Sequence, residues 1–380
     1  MTTSTQLSLT RPEWFQPVPP GTQHYVAVLQ NKAGERNALA HASANVWAHM
    51  TPLVEILGPK RSDSEPYSHS RTQGWVKKVA AAVGAHPCFL DILRLSPNHT
   101  VVTKTGRLPV LTAIYADARR RRMAFVPVLR LSDAPSTRAQ IAACTQSDGR
   151  GVAIRHRLLG SASINGRGAE TLLIEALHTV DVEITGADLI LDLDFISEDV
   201  DLEAEDVAAT IDDLTAIGNW RSVVLVGSSM PSSLGGGVVN EGTIGRLPRR
   251  EWDLWRDLAA MQISRLPTFG DYAIQNPKPP FEGQSSGPGQ RANIRYTADQ
   301  TTLVPRAVGA VIQEGAEQYR ELCELLVSQP EFAGADFSWG DQEIFDCAYG
   351  LSEPGWQEQW RGAGTSHHLG HVVDQLSRIS

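Results

Sequence analysis

The chain has 380 residues, of which 42% are hydrophobic and 20% charged, and these proportions are typical of a folded globular protein rather than a disordered or fibrous one. Its formal net charge of -9 argues against broad non-specific binding to nucleic acid, although it leaves room for a local basic patch. The four cysteines lie far apart and form no C-x-x-C pair, which argues against a zinc ribbon or a disulfide framework and favours reduced thiols.

The sequence shows no export or membrane signal. Residues 1–20 lack the basic start and following apolar run of a secretory signal. Uninterrupted apolar stretches stay well below the roughly 18 residues that a membrane-spanning helix needs. We therefore expect a cytoplasmic protein that has no membrane partner.

Short apolar runs rich in β formers alternate along the chain with segments whose apolar residues recur at helical spacing. The strand-like runs are residues 25–29, 52–57, 88–95, 125–131, 151–159, 189–195, 222–226 and 263–274. The helix-like segments are residues 37–50, 72–83, 107–122, 136–143, 169–177, 203–216 and 305–326. Two stretches rich in Ser, Gly and Pro, residues 227–247 and 275–291, are predicted to be long loops.

Eight such strands with intervening helices predict an α/β fold, a TIM-like (β/α)8 barrel with a C-terminal extension. An open doubly wound α/β sheet has the same alternation and is the alternative, because a sequence does not show whether a sheet closes. We expect residues 1–24 to be an N-terminal extension and residues 25–329 to form the barrel. Residues 330–380 are expected to pack on the barrel within the same domain.

Polar residues interrupt the apolar runs near the carboxyl ends of the predicted strands, where barrel proteins build their sites. Asp192 and Asp194 stand two apart in LDLDF, so a strand places both on one face. Together with Arg155 and Arg157 they either bind an anion or form a buried ion network that closes the barrel. Glu55 and Arg130 either join them or face solvent at the strand ends.

Lys32 and Glu35 lie in NKAGER, where Gly34 permits a tight turn before a helix. A lysine beside a helix N-terminus favours a phosphate or a carboxylate. A local salt bridge between Lys32 and Glu35 is the alternative interpretation.

The last fifty residues are the richest in polar and aromatic side chains. His367, His368 and His371 suggest a metal site, but H-E-x-x-H is absent, so zinc is not expected. Contact with a substrate anion, or acid and base catalysis by the His367 and His368 pair, is favoured instead. A short echo links FGDYAI, which contains Asp271, to WGDQEI, which contains Asp341.

Several stretches, taken in order, resemble the beta family proteins of bacteria and phages. They are YVAVLQNKAGERNAL, MTPLVEI, LDLDF, FGDYAI, ANIRYT, FSWGDQEI, PGW and WRGAGTSHH. The resemblance implies one continuous barrel and a place in mobile or defence-related gene neighbourhoods. It supplies no set of catalytic residues.

Two hypotheses follow for the function. In the first, the barrel binds a phosphate-bearing ligand, either a small molecule such as a nucleotide or a nucleic-acid end, and acts as a phosphodiester or nucleotide hydrolase in antiphage defence. In the second, it is a non-catalytic interaction or sensor module of a defence complex with a protein partner. A divalent metal cofactor is left open. The first hypothesis assigns catalysis to Asp192, Asp194, Asp271, His367 and His368, and ligand binding to Lys32, Glu55, Arg94, Arg130, Arg155, Arg295 and Asp341.

Overall fold

The computed structural model describes residues 17–19, 23–57, 66–93, 95, 99–104, 106–158, 166–199, 202–278 and 290–379. Its strands are β1 (Tyr25–Leu29), β2 (Met50–Leu57), β3 (Tyr67–Ser68), β4 (Cys88–Leu93), β5 (Thr100–Thr103), β6 (Gly106–Pro109), β7 (Phe125–Arg130), β8 (Val152–Arg157), β9 (Ala187–Phe195), β10 (Ser222–Ser228), β11 (Thr243–Pro248), β12 (Thr268–Asp271), β13 (Arg291–Asn293), β14 (Tyr296–Thr297) and β15 (Thr301–Ala310).

Its helices are α1 (Ala33–Ala40), α2 (Ala44–His49), α3 (His69–Val83), α4 (Val110–Arg120), α5 (Pro135–Asp148), α6 (Gly166–Val180), α7 (Ala204–Thr215), α8 (Arg250–Ala260), α9 (Val311–Glu314), α10 (Gln318–Val327), α11 (Trp339–Ala348) and α12 (Gln357–Ser377). Among the helices in the described part of the chain, none combines the length and the apolar composition that crossing a bilayer requires.

Eight parallel strands form a closed barrel in the order β1, β2, β4, β7, β8, β9, β10 and β12. Closure is made by the first and last of these strands, which pair in parallel with Tyr25 opposite Phe269. The predicted TIM-like barrel is therefore confirmed, and the open sheet is not what forms. Each of the eight predicted strand-like runs overlaps one of these strands, and β2, β9 and β10 extend beyond the predicted bounds. The apolar residues of these strands are buried on both faces of the sheet.

Side chains that point into the barrel alternate with side chains that pack against the surrounding helices. The inward set forms a continuous apolar cluster that includes Val28, Phe89 and Ile190. Val18, from the segment before β1, joins this cluster, and the Thr51 hydroxyl at the start of β2 donates to the carbonyl of Pro17. The interior is thus packed below the level at which polar residues begin.

A second sheet combines β11, which follows the seventh barrel strand, with three strands that follow the eighth. In it, β15 pairs antiparallel with β11, β13 and β14. The prediction of one helix over residues 305–326 is therefore wrong at its start, and α10 begins only at Gln318. Proline often opens a helix, but Pro305 lies in a strand rich in Thr and Val whose residues Leu303 and Val304 are buried.

The predicted loop over residues 227–247 is also corrected, because its last part is β11. The sequence predicts no helix after the seventh strand, but the structure has α8 there, with Trp252, Trp255 and Leu258 buried. The predicted loop over residues 275–291 lies largely outside the described residues. Its last residue, Arg291, begins β13.

The position of the eighth barrel helix is taken by α12, which follows the eighth barrel strand only after α9, α10 and α11 and packs on α1, α2 and β1. Its Leu369, Val372 and Leu376 belong to the apolar core between the barrel and its helices. On its other sides, α12 contacts α11 and the second sheet. The C-terminal segment therefore supplies the eighth barrel helix and joins the barrel to the second sheet.

Small residues allow α12 to be packed on several sides. A Cβ atom on Gly340 of α11 would lie 1.9 Å from the carbonyl oxygen of Ala363. A Cβ atom on Gly364 would lie 2.3 Å from the carbonyl oxygen of Arg295 in the second sheet region. On the barrel side, a Cβ atom on Gly34 would lie 2.7 Å from the carbonyl oxygen of Glu358. The run WRGAGTS thus lets three neighbours approach the helix backbone.

Candidate functional site

The inner face of the barrel changes from apolar to charged near the carboxyl ends of its strands. The Arg155 guanidinium group lies at the centre, and its Nη1 donates to Glu55 at 2.8 Å and to Asp91 at 2.6 Å. Its Nε donates to Asp192 at 2.9 Å. The Tyr272 hydroxyl, from the residue after β12, donates to Asp192 at 2.8 Å. These groups are buried and are called the Arg155 network below.

Three carboxylates in this network face two cations. Arg130 supplies the second cation through a hydrogen bond to Asp91, with 22% of its side chain exposed. Burial, reinforced by the charge of Asp91, raises the pKa of Glu55 to about 7, although Arg155 opposes the rise. A proton on Glu55 balances the charges of Arg155 and Arg130 against those of Asp91 and Asp192. Burial therefore favours the protonated form of Glu55 in this network.

Two strand ends bend through left-handed backbone. Asp194 has φ 55°, and its amide donates to Oδ1 of Asp192 at 2.9 Å. Ala273 has φ 48°, and its amide donates to Oδ1 of Asp271 at 2.8 Å. Asp194 pairs with Arg157 at 3.1 Å, but 59% of the Arg157 side chain is exposed. The buried ion network considered from the sequence thus includes Arg155 and Asp192, whereas Arg157 lies at its rim.

A cavity of about 670 Å³ opens above the Arg155 network and is called the barrel-mouth cavity. Arg130, Arg157 and Lys278 bring positive charge to it, and Asp133 brings a further carboxylate. The remaining lining residues are Glu55, Leu131, Ser132, Arg155, His156, Leu172, Asp192, Tyr272 and Pro277.

A larger cleft of about 1170 Å³, called the cationic cleft, lies between the end of β1, the second sheet and the start of α12. Lys278 lines both this cleft and the barrel-mouth cavity, so the two adjoin. The acidic residues of the cleft are Glu35 and Glu358. Its basic residues are Lys32, Lys278, Arg291, Arg295, Arg306 and Arg361.

The basic residues of the cleft differ in their partners. Arg291 and Arg306 both reach Glu241. Arg295 donates from Nη1 to the carbonyl of Ile274, but its buried Nε has no hydrogen-bond partner among the described residues. Arg361 donates from Nη2 to Asn293 at 3.1 Å, and its buried Nη1 is likewise without a partner in the described part of the chain.

Lys32, Arg295 and Arg361 form no salt bridge among the described residues, and the like charges of neighbours make the charged forms of Lys32 and Arg295 less favourable. Burial lowers the pKa of Lys32, and the charges of Arg361 and Arg295 lower it further while Glu35 offsets part of the effect. Burial and then the charge of Arg361 lower the pKa of Arg295. Burial lowers the pKa of Arg361 to about 10. Lys32, Arg295 and Arg361 therefore form a partly desolvated cationic group that an anion would stabilise.

The C-terminal histidines lie elsewhere. His368 contacts Asp271 through Nε2 at 2.9 Å and Thr297 through Nδ1 at 2.7 Å, and the Tyr25 hydroxyl also donates to Asp271. Although burial opposes it, the contacts with His368 and Tyr25 hold the pKa of Asp271 below its ordinary value. Burial lowers the pKa of His368. A neutral imidazole that donates to an ionised Asp271 and accepts from the Thr297 hydroxyl satisfies every contact.

His367 lies on another side of α12. Its Nδ1 is 3.0 Å from Asp341 and its Nε2 is 2.8 Å from the carbonyl of Thr297. Asp341 also accepts hydrogen bonds from Tyr296 at 2.8 Å and from Ser338 at 2.6 Å. Asp341 is thus no helix cap, since Ser338 caps α11. Asp271 and Asp341, which occupy the same position in FGDYAI and WGDQEI, each contact one of two adjacent histidines, His368 and His367.

The structure sorts the residues predicted for the site into four groups. Glu55, Arg130, Arg155, Asp192 and Asp194 meet at the barrel mouth. Lys32 and Arg295 meet in the cationic cleft. Asp271 and His368 meet between the barrel wall and α12, and Asp341 and His367 meet between α11 and α12. Arg94 lies outside the described residues.

No metal cluster accompanies these groups, because the described ranges contain no set of three or more His, Cys, Asp or Glu side chains that could hold a metal ion. The four cysteines are free and buried.

The sequence that forms these sites matches one protein family over most of its length. The match covers residues 25–374 and is to the family described as Beta protein. The chain belongs to this family. The resemblance stated from the motifs is thereby confirmed.

The comparison with curated proteins gave no match. A solved structure described as "PhdJ bound to substrate intermediate" has 7% sequence identity and a TM-score of 0.32, with 94% of this chain and 97% of that chain covered. So weak a likeness says nothing about the chemistry of this chain.

Several residues of the cationic cleft are not predicted by the sequence. Lys278 and Arg291 lie in or next to a predicted loop, and Arg306 lies in the segment wrongly predicted to be helical. Arg291 and Arg306 come together because β13 pairs with β15. No local pattern in the sequence of either strand predicts this pairing. Of the basic residues in this cleft, Lys32 and Arg295 are predicted from the sequence to bind a ligand, whereas Arg361, in WRGAG, is not among the residues assigned to the site.

Proposed function

We propose that the cationic cleft binds a phosphate-bearing ligand, such as a nucleotide or a nucleic-acid end. The observation that carries the proposal is the convergence of Arg295, Arg361 and Lys32 in one cleft, where Arg295 and Arg361 each keep a buried guanidinium nitrogen without a hydrogen-bond partner among the described residues. Beyond the effect of burial, the charge of Arg361 lowers the pKa of both Arg295 and Lys32, and Glu35 offsets only part of the effect on Lys32. Keeping such cations together in a partly desolvated place is unfavourable without a ligand. A bound oxyanion removes that repulsion and accepts hydrogen bonds from the free guanidinium nitrogens.

The first turn of α1 adds to this environment. Ala33, Gly34 and Glu35 line the cleft beside Lys32, so the positive end of the helix dipole faces the same space. Glu35 accepts a hydrogen bond from the Lys32 amide through Oε2 at 2.9 Å, and its buried Oε1 has no hydrogen-bond partner among the described residues. The volume of the cleft, about 1170 Å³, is larger than that of a typical drug-sized ligand pocket and suits an extended polyanion.

If the ligand is hydrolysed, we place that chemistry at the barrel mouth. Glu55, Asp192 and Asp194 lie there beside the cationic cleft, which suits a phosphodiester or nucleotide hydrolase. Asp271, His367 and His368 are enclosed between α12 and its neighbours, so this proposal gives them a structural role. Action in antiphage defence remains part of the proposal, through the resemblance noted from the motifs.

A non-catalytic interaction module is the second candidate, and the surface of the second sheet favours it. Val308 is 66% exposed at the end of β15 and Ile312 is 75% exposed in α9, while Val238 is 45% exposed. Exposed aliphatic side chains on an insertion of this kind are suited to a protein partner in a defence complex.

Thermal unfolding of the full chain with added anions tests the proposal. Sulfate, pyrophosphate, nucleoside triphosphates and 5′-phosphorylated oligonucleotides are compared, each with and without Mg²⁺. A ligand that binds the folded state raises the melting temperature by mass action. Arg361→Met and Arg295→Met should abolish the rise in melting temperature. Arg256→Met, at an exposed position of α8, should leave it intact. An equal rise in all three variants, or no rise with any anion, contradicts the proposal.

A further inference from the structure

Glu55 is the group in the barrel-mouth cavity whose hydrogen bonding is incomplete. Its Oε1 accepts from Arg155 at 2.8 Å, whereas its buried Oε2 has no partner among the described residues. The residue is 1% exposed, so bulk water does not solvate this oxygen freely. A buried carboxyl oxygen without a partner is unfavourable whether or not it carries a proton. A hydrogen-bonding group in the cavity would complete it.

The charges that face Glu55 come from several strands. Asp91 on β4 raises its pKa, and Arg155 on β8 and Arg130 on β7 lower it. The charge of Glu55 in turn offsets part of the fall that burial causes in the pKa of Lys32, which follows β1 and lines the cationic cleft.

Asp192 on β9 and Tyr272 after β12 complete the surroundings of Glu55. Asp192 is paired with Arg155, and the Tyr272 hydroxyl is engaged with both. When Glu55 is neutral, the charged residues that line the cavity are the cations Arg130, Arg155, Arg157 and Lys278 and the carboxylates Asp133 and Asp192. Asp194 pairs with Arg157 at the rim.

We propose that the barrel-mouth cavity is a second oxyanion subsite, in which a phosphate group accepts a hydrogen bond from the protonated carboxyl group of Glu55 and lies against Arg130 and Lys278. Binding at this subsite takes up a proton, because an ionised Glu55 offers no donor and repels the anion. The inference deepens the proposed function and rests on it in one respect: a single ligand with two phosphate groups would span both sites at Lys278.

Sulfate is the probe that tests the subsite, since its charge does not change between pH 5 and pH 9. Isothermal titration calorimetry of the full chain at pH 6 and pH 8 should show two sites. One keeps its affinity, and the other binds about tenfold more weakly at pH 8, because the protonated fraction of a group with a pKa of about 7 falls about tenfold. Titrations in buffers of different ionisation enthalpy should show proton uptake at the second site alone.

Two variants make the result specific. Glu55→Gln mimics the neutral carboxyl group, so the second site should persist at both pH values without proton uptake. Arg130→Gln changes a side chain that is partly exposed, and it should weaken the second site at both pH values. It provides the test if Glu55→Gln does not fold. A second site with no pH dependence, or one that keeps its pH dependence in Glu55→Gln, overturns the inference.

Arg361→Ala separates the two proposals. It should remove the pH-independent site and leave the pH-dependent one. If the wild-type chain binds one sulfate, and Arg361→Ala removes it, the subsite is wrong and the cationic cleft stands. If the pH-dependent site alone is found, and it survives Arg361→Ala, the subsite stands and the proposed function is wrong.

Discussion

His368 and Asp271 lie 2.9 Å apart and join the C-terminal helix to the barrel wall. Asp271 lies on the outward face of β12, together with Phe269, whereas Tyr272 points into the barrel. A histidine with a carboxylate at a strand end has the composition of a catalytic pair. Here its partners are Tyr25 and Thr297, and the whole group is buried. The pair therefore stabilises the attachment of α12.

We expect His368→Ala to lower the free energy of unfolding by about 3 kcal/mol, since a buried carboxylate loses a hydrogen-bond donor. Urea unfolding followed by tryptophan fluorescence measures the change. His178→Ala, on the exposed side of α6, is the matched control and should change stability by less than about 0.5 kcal/mol. A His368→Ala chain of normal stability would contradict the structural role.

The second histidine gives a parallel prediction. Both ring nitrogens of His367 lie within hydrogen-bond distance of oxygen acceptors, Asp341 and the Thr297 carbonyl, and the ring is buried. Asp341→Asn should cost about 1 to 3 kcal/mol, because an amide NH2 group would replace a buried acceptor oxygen that faces the Tyr296 and Ser338 hydroxyl groups. Differential scanning calorimetry should show a lower melting temperature, whereas Asp336→Asn on the exposed loop should not. Equal melting temperatures for the two variants would show that the contact contributes little.

Gly340 and Gly74 form a matched pair for the packing of α12. Gly340→Ala places a Cβ atom 1.9 Å from a carbonyl oxygen of α12, so α11 must move, and we expect a loss of several kcal/mol. Gly74→Ala in α3 meets no atom within 4 Å and should stabilise the chain by up to about 1 kcal/mol through helix propensity. Chemical denaturation of both variants measures the opposite signs. A neutral Gly340→Ala would mean that α11 and α12 are not held as closely as described.

The raised pKa of Glu55 predicts a pH dependence of stability. The ordinary pKa is 4.5 and the folded value is about 7, so between these values the folded state binds the proton that the unfolded state has released. The favourable contribution is complete below about pH 4.5 and is lost as pH rises to about 7, a change of about 3 kcal/mol. His24 has the opposite slope, because burial lowers its pKa from 6.5 to about 4.

Comparison with Glu55→Gln isolates the contribution of Glu55, since His24 is present in both chains. The variant should be similar in stability to the wild type at pH 5 and more stable at pH 8. Urea midpoints across this range measure the difference. A difference that stays constant from pH 5 to pH 8 would show that Glu55 is ionised throughout.

The cationic cleft predicts a trade-off between stability and binding. Arg361→Met keeps an apolar stem and removes a charge that burial disfavours, so the ligand-free chain should become more stable by on the order of 1 kcal/mol. Arg256→Met, exposed on α8, should change little. Thermal unfolding without added anions makes the comparison, and a destabilised Arg361→Met chain would indicate a structural role for the guanidinium group.

The barrel could be predicted because each strand carries its own signal. Runs such as those of β1 and β10 are apolar on both faces, and the polar residues at their ends mark the mouth. The orientation of Asp271 could not be predicted, since the register of β12 decides whether Asp271 or Tyr272 points inward. The cationic cleft could not be predicted either, because it forms only when β15 pairs with β11 and β13, which joins distant parts of the chain.

The position of α12 also constrains how the chain folds. The helix that completes the ring of barrel helices comes from residues 357–377, yet it covers α1 near the other end of the chain. During synthesis the apolar side of α1 stays uncovered until α12 emerges, because the two helices are separated by more than 300 residues. Folding is thus governed by a contact of very large sequence separation, and we expect slow barrel closure with a partly open intermediate that is prone to association.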